Sequence, residues 1–547
     1  MAKLALQVLV QTVLFHKLAF ALYRLPQGEP CLIMERPPEG TPAAVASTPA
    51  TVAAASAPAA TAPAGAAAPD AVASEPLGWH NLTNHNGFVM VPFAPSASYP
   101  LTMIAADAEA QGWDDIYALL LARVMSQPEL LATATTLQSV WEAGAGKAMS
   151  DKASAGASVA GNTVADKAMA GEAGAGAAVA DKTMSGGAGA DSAIAGAGAR
   201  ISAGPLSNYH EDFACFSAAL HAASFAKLVL SSYFEQEFKS WWALSSFNRA
   251  CASGQNLMVV LVNLPVAGSW FVATPEALLR GTKGRYSTMS LAGTRPFNEQ
   301  EQALSSWSEK DRQEQAYVTS YIREVLERYA TDIVESGPKT ARAGLVMHLK
   351  TDFSFALPQE AQSRAPSQQQ LRTSPSGALS PNEDQALSGA LSPNEDQALS
   401  GGLSPSEEAS DGVSGLTSAE NSAGGSAAAF ADNSATGGND SLNQLIQALH
   451  PTPAVCGLPK QEAFAFIQEH ESYQRGYYAG VIGRVKHSEE VQLFVNLRAA
   501  QISLSTPTTV QVRSFVGGGL LAASQESSEY AEICAKNRSI LANIKPE

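Results

Sequence analysis

The stretch FVATPEALLRGTKGRYSTMSLAGTRPFNEQEQALSSWSEKDRQEQ, residues 271–315, decides how this chain is read. It opens on an aromatic and β-branched run that stops at Thr274-Pro275-Glu276, placing a carboxylate at the end of a strand. A second strand-like run leads to the small-residue turn Leu291-Ala292-Gly293-Thr294. The pattern then turns polar and helical at Lys310-Asp311-Arg312-Gln313-Glu314. Asp311 and Glu314 are three apart and share one helical face. Glu529 and Glu532 repeat that spacing much later in the chain. Brought together, two such pairs make an oxygen-rich site suited to a hard cation such as Mg²⁺. Taken singly, each reads as a solvated helix face with local Lys partners.

Outward from this stretch, composition divides the chain. Only 16% of residues are charged, and Ala, Gly, Ser and Pro concentrate in the blocks 37–74, 143–204 and 358–440. Asp-Lys recurs at 151, 166 and 181, and ALSPNEDQALSG occurs in tandem at 378–389 and 390–401. These blocks lack the large apolar residues that stacked repeats bury. They cannot offset the entropy of ordering and are expected to be disordered, low-complexity insertions. All three fall between motifs, which predicts one domain over 1–547, with its core in 205–357 plus 441–547.

A formal charge of −16 argues against a nucleic-acid partner, so any anionic ligand must be met by local Lys and Arg. Five cysteines without C-x-x-C spacing read as free thiols of a reducing compartment, and the cytoplasm is expected. Leu4–Phe15 is apolar but interrupted by Gln7 and Gln11, and too short to cross a membrane as a helix. It reads as an amphipathic helix rather than a signal peptide, and no membrane partner is expected.

Between the blocks, periodicity predicts helices over 209–223, 238–251, 313–336, 442–449, 460–471 and 527–544. Strands are predicted over 87–95, 225–234, 257–264, 269–273 and 344–357, and an antiparallel meander over 477–485, 490–504 and 509–520. Without regular βαβ alternation, the fold class is α+β.

The motifs TPEALL, AGTR and SEKDRQE, in that order, resemble the chorismate-utilising enzymes (anthranilate synthase component I-like), and among their branches the isochorismate synthases. The resemblance continues through HPTPAVCGLPK (450–460), RGYYAGVIG (475–483), FVNLRAAQI (494–502), VGGGL (516–520) and SQESSEYAEICAK (524–536). It implies a two-layer antiparallel β-sandwich flanked by helices, with the site between the layers. It also implies chorismate as small-molecule substrate, Mg²⁺ as cofactor, and a monomer.

By resemblance Lys227 activates the attacking water and Glu276 is the general acid, while Glu314 and Glu532 hold the metal with Asp311 and Glu529 as neighbouring carboxylates. Gly293, Thr294, His348, Tyr478, Arg498, Gly517, Gly519 and Lys536 would bind substrate. From the strand pattern alone, Lys227 faces either solvent on an edge strand or a cavity, where desolvation would favour the neutral amine. Two departures stand out: Thr274 replaces the family's first serine, and Ser232 replaces an arginine that ends the family's lysine-bearing strand. HPTPAVCG and the FALYRLP opening look more like an isochorismate synthase than a salicylate synthase, and a role in menaquinone formation is expected. A salicylate synthase and a non-catalytic protein on the same fold are the alternatives.

Overall fold

The computed structural model describes residues 4–35, 77–159, 208–343, 346–358, 440–487 and 490–546. Of the insertions expected over 37–74, 143–204 and 358–440, all but 143–159, 358 and 440 lie outside these residues. The chain opens with α1 (Leu6–Phe15), β1 (Phe20–Arg24), β2 (Pro30–Met34), β3 (Asn86–Val91), β4 (Thr102–Ala105) and β5 (Ala108–Gln111). Next come α2 (Trp113–Met125), α3 (Pro128–Val159), α4 (Tyr209–His221), β6 (Lys227–Phe238) and α5 (Ala243–Ser253). The central elements are β7 (Met258–Leu264), β8 (Gly268–Thr274), β9 (Ala277–Thr282), β10 (Arg285–Pro296), α6 (Glu309–Tyr329), β11 (Thr331–Ala343) and β12 (Val346–Ala356). The remainder is α7 (Asp440–Leu449), β13 (Gly457–Leu458), α8 (Lys460–His470), β14 (Val481–Lys486), β15 (Glu490–Val495), β16 (Ala499–Thr506), β17 (Thr509–Leu520) and α9 (Glu526–Ile544).

Two sheets form, of nine strands (β13-β6-β17-β16-β8-β7-β1-β2-β5) and eight (β11-β12-β10-β9-β15-β14-β3-β4). The paired strands run antiparallel, as in β6 with β17 and β10 with β12. One hydrophobic core draws on both sheets, with Val260 and Phe271 from one and Val89 and Leu493 from the other. Mixed helices and antiparallel sheets make this the expected α+β architecture. The apolar α1 belongs to that core: Val8, Leu9 and Val13 are fully buried. Its buried Gln11 is satisfied, donating to the Pro507 carbonyl and accepting from the Ala243 amide.

Three local expectations are revised. The helix predicted to reach Ser336 ends at Tyr329, and β11 begins at Thr331. Thr331, Ile333 and Val334 are β-branched and Pro338 cannot sit in a helix interior, so edge pairing with β12 wins over amphipathic periodicity. The helix α3 runs to Val159, beyond position 143 where the insertion was expected to begin; its Ala- and Lys-containing sequence is compatible with helix. The C-terminal meander is split between sheets, with β14 and β15 in the eight-stranded one and β16 and β17 in the nine-stranded one.

That split positions the site. The chain leaves the nine-stranded sheet after β8 through Pro275-Glu276 and returns to it before β16 through Asn496-Leu497-Arg498. The two crossings are bonded together: the Val495 amide donates to the Glu276 carbonyl at 2.9 Å, and the Ala273 amide to the Arg498 carbonyl at 3.3 Å. Arg498 takes φ +49°, a conformation uncommon for a residue with a side chain. Thr274 does what a serine would, donating to the Val495 carbonyl (2.8 Å) and accepting from the Glu276 amide (3.3 Å).

A buried ion pair fixes the strand that begins at Lys227. Arg475 meets both oxygens of Glu471 (2.7 and 2.8 Å) and donates to the carbonyls of Val229 and Val455. The same glutamate accepts from the amide and hydroxyl of Ser231. Glu471→Ala would strand a buried guanidinium, and we expect it to cost about 3–5 kcal/mol. Urea unfolding measures this, and a loss under about 1 kcal/mol would mean that the site relaxes around the cation.

Candidate active site

One cavity lies where the sheet crossings meet the ends of β6, β10, β12 and β17 and the helices α6 and α9. Lys227, Glu276, Gly293, Thr294, Asp311, Glu314, His348, Tyr478, Arg498, Gly517, Gly519, Glu532 and Lys536 all line it. Glu529 sits just behind Gly518 on α9, buried and ion-paired to Lys310. The residues singled out in the sequence therefore converge, although they are spread from β6 to α9.

Lys227 is not on an edge. It opens β6 between β13 and β17 and is 1% exposed. Strand alternation turns Lys227, Val229 and Ser231 into the cavity. Ser232 is on the opposite face of β6, so the arginine it replaces would not enter the cavity. Burial pushes the Lys227 ammonium below its usual range, against the pull of Glu314 and Glu276. Burial pushes the Glu276 carboxyl up to about 7, against Lys227 and a 3.5 Å hydrogen bond from Thr452. The lysine is biased toward the neutral base and the glutamate toward the protonated acid.

On the opposite wall, β17 runs past the last β16 pairing at Ser514 and keeps only β6 as a neighbour. The Gly517 carbonyl accepts from Lys536 at 2.7 Å rather than from β6. Antiparallel alternation therefore turns the amides of Gly517 and Gly519 outward from β6, where an anion can meet them. Arg498 is half-buried between the Ala343 carbonyl and His348, and desolvation there lowers its pKa to about 10. His348 contacts the Gly293 carbonyl through Nδ1 at 2.7 Å and Arg498 through Nε2, so both ring nitrogens are engaged by the protein. Burial, then the Arg498 charge, pushes its pKa down to about 3, which keeps it neutral. A neutral ring that accepts from Arg498 carries its proton on Nδ1.

The acidic wall comes from two helices. Ser308 caps α6 and forms a capping box with Asp311, whose carboxylate accepts from the Ser308 hydroxyl at 2.6 Å. That Ser-x-x-Asp signal was legible and went unread, as did Lys310 at i,i+4 from Glu314. Glu314 is 7% exposed and lies 3.7 Å from Lys227 and 3.5 Å from Lys310. Burial raises its pKa despite both lysines. For Glu532, burial is outweighed by Lys536 at 2.7 Å, and its pKa is lowered.

Among the described residues no three His, Cys, Asp or Glu side chains form a ready-made metal cage. Mg²⁺ does not require one, since it takes few protein carboxylates and keeps waters. The donor set fits such an ion in one further respect: Glu529 Oε2 is buried without a hydrogen-bond partner.

Gly519 keeps this wall apart from Lys227. A Cβ there would stand 2.6 Å from Glu314 Oε2 and 2.9 Å from Lys227 Cε. Gly519→Ala is expected to lower turnover by about 100-fold or more through displaced groups. Its melting temperature should change little, since strand alanine offsets local crowding. Turnover within threefold of wild type would show that the Lys227–Glu314 spacing is not critical.

Comparison with known proteins agrees with this geometry. The family model described as "Chorismate binding enzyme" matches residues 199–366 and 434–545, and the chain belongs to that family. It is 36% identical over 99 residues to the vibriobactin-specific isochorismate synthase of Vibrio cholerae, covering 18% of this chain and 24% of that protein. It is 41% identical over 93 residues to the salicylate biosynthesis isochorismate synthase of Pseudomonas aeruginosa, covering 17% and 18%. The chain thus matches under a quarter of the length of either relative. The solved menaquinone-specific isochorismate synthase from Escherichia coli shares the fold, with TM-score 0.53 and 14% identity over 100% of this chain and 92% of that one. Among the described residues no helix is long and apolar enough to cross a membrane.

Proposed function

We propose that this chain is an isochorismate synthase, a Mg²⁺-dependent isomerase of chorismate. The observation that carries the reading is the pairing, in one cavity, of a buried lysine driven toward neutrality with a buried glutamate driven toward protonation. Lys227 takes a proton from water as the water oxygen bonds to ring C2. The ring double bonds shift, and the C4–O bond breaks as Glu276 gives its proton to the departing hydroxyl. One water enters and one leaves, so neither oxidant nor reductant is needed. Arg498, Lys536 and the amides of Gly517 and Gly519 hold the carboxylates. Glu314 and Glu532 would hold Mg²⁺, beside Glu529 and Asp311; when bound, the ion supplies charge neutralisation at the ring carboxylate. HPTPAVCG and FALYRLP favour an isochorismate synthase over a salicylate synthase, and menaquinone formation is the expected pathway.

The test is incubation of the purified chain with chorismate and Mg²⁺, followed by chromatography. Isochorismate as the main product, lost on adding EDTA and restored by Mg²⁺, is the expected result. Salicylate with pyruvate would replace this reading with a salicylate synthase. A folded protein without turnover would make it a binding protein on the same fold.

A further inference from the structure

Lys310 has no part in the chemistry above, yet it occupies the middle of the acidic wall. It is the second residue of α6, with Nζ 3.5 Å from Glu314 Oε1 and ion-paired to Glu529 Oε1 on α9. Glu529 is 3% exposed, and its other oxygen is buried without a partner. One ammonium therefore joins two carboxylates from different helices and leaves one oxygen open. The neighbouring lysines are tied down differently. Lys227 is buried in β6, and Lys536 is anchored to both Glu532 and the Gly517 carbonyl. The Lys310 side chain is 28% exposed and held by carboxylates alone, so it can swing toward the cavity mouth.

We propose that Lys310 is an internal counter-cation that pairs Glu314 with Glu529 and is displaced when a divalent cation binds the Glu314 carboxylate beside Glu529. The inference rests on the metal reading of this site and adds a competition within it. Two cations cannot share the same carboxylate oxygens at contact distance without strong repulsion. Once displaced, the ammonium needs a new anion, and a carboxylate ligand in the cavity that Lys310 lines is the nearest supply. The displaced ammonium should therefore add, reciprocally, to the coupling that the ion's own charge at the ring carboxylate provides.

The test is a Mn²⁺ titration of the full chain, followed by the electron paramagnetic resonance signal of free Mn²⁺, with and without chorismate. Lys310→Gln is expected to bind Mn²⁺ about 10-fold or more tighter than wild type without chorismate. Chorismate should tighten Mn²⁺ binding more in wild type than in Lys310→Gln, while Lys310→Arg keeps the wild-type pattern. If Lys310→Gln folds only when Mn²⁺ is added, the counter-cation role is supported by that dependence; Lys310→Met then supplies the affinity. Equal or weaker Mn²⁺ binding by a folded Lys310→Gln, where wild type binds, overturns the inference and leaves the metal reading standing. No Mn²⁺ binding by any of these proteins, even with chorismate, overturns both.

Discussion

Lys227→Ala is expected to lose chorismate turnover by about 10²–10⁴-fold, the range a positioned general base supplies. The lysine opens a strand flanked on both sides, is almost wholly buried, and lies beside a glutamate rather than solvent. No other amine stands in the same place: Lys310 and Lys536 are committed to carboxylates on the helical wall. The loss should fall on kcat, with KM changed less, because the carboxylate anchors Arg498 and Lys536 are untouched. Chromatographic assay of isochorismate, alongside a circular dichroism spectrum to establish folding, measures it. Full turnover by Lys227→Ala would remove water activation from this residue and the mechanism with it.

Glu276→Gln should cost activity on a similar scale and at the same time stabilise the protein at alkaline pH. A glutamate whose folded pKa is raised from 4.5 to about 7 binds its proton more tightly in the folded state. Its favourable contribution is complete below the unfolded value and is lost as pH rises through the folded one. Above neutrality the wild type therefore carries a buried carboxylate that the amide variant lacks. A shift of this size corresponds to on the order of 3 kcal/mol, so the variant should melt higher than wild type at pH 8 and close to it near pH 4.5. In turnover, kcat/KM should fall as pH rises past about 7 and the acid loses its proton. Thermal melts at the two pH values give the first result and initial rates across the range the second. A variant no more stable at pH 8 would mean that Glu276 is already paid for by its neighbours, and that its acid role has no energetic basis in burial.

The architecture and the site were legible in different ways. Strands such as Met258–Leu264 were plain because every residue but Asn263 is apolar, and α1 because its apolar run is broken only by Gln7, Gln11 and Thr12. The edge strand β11 was not, because an amphipathic helix runs straight into it and its pairing partner β12 follows it in the chain. Periodicity sees one element at a time, whereas strand choice is settled by the neighbour. The site residues were legible through motif order, which is why positions from Lys227 to Lys536 could be gathered before their cavity was seen. Their partners were not. That His348 grips Arg498, that Lys310 reaches across to Glu529 and that Thr452 reaches Glu276 are contacts between distant segments, without a local signature. Ser232 shows the reverse: a departure that looked serious in the sequence falls on the face of β6 turned away from the cavity.

The helix α9 has a consequence for how the protein is made. It contributes Glu529, Glu532 and Lys536, whereas the base belongs to β6, and the chain between them must be finished before the wall closes. A ribosome-bound chain that has emerged only as far as β17 would own its base, its acid and its arginine, but would lack half of the carboxylates. Such a nascent chain has no complete site, so ligand cannot select among partly folded forms during translation. Ligand-induced stabilisation, followed in a stalled-ribosome series, should therefore appear abruptly once α9 clears the exit tunnel.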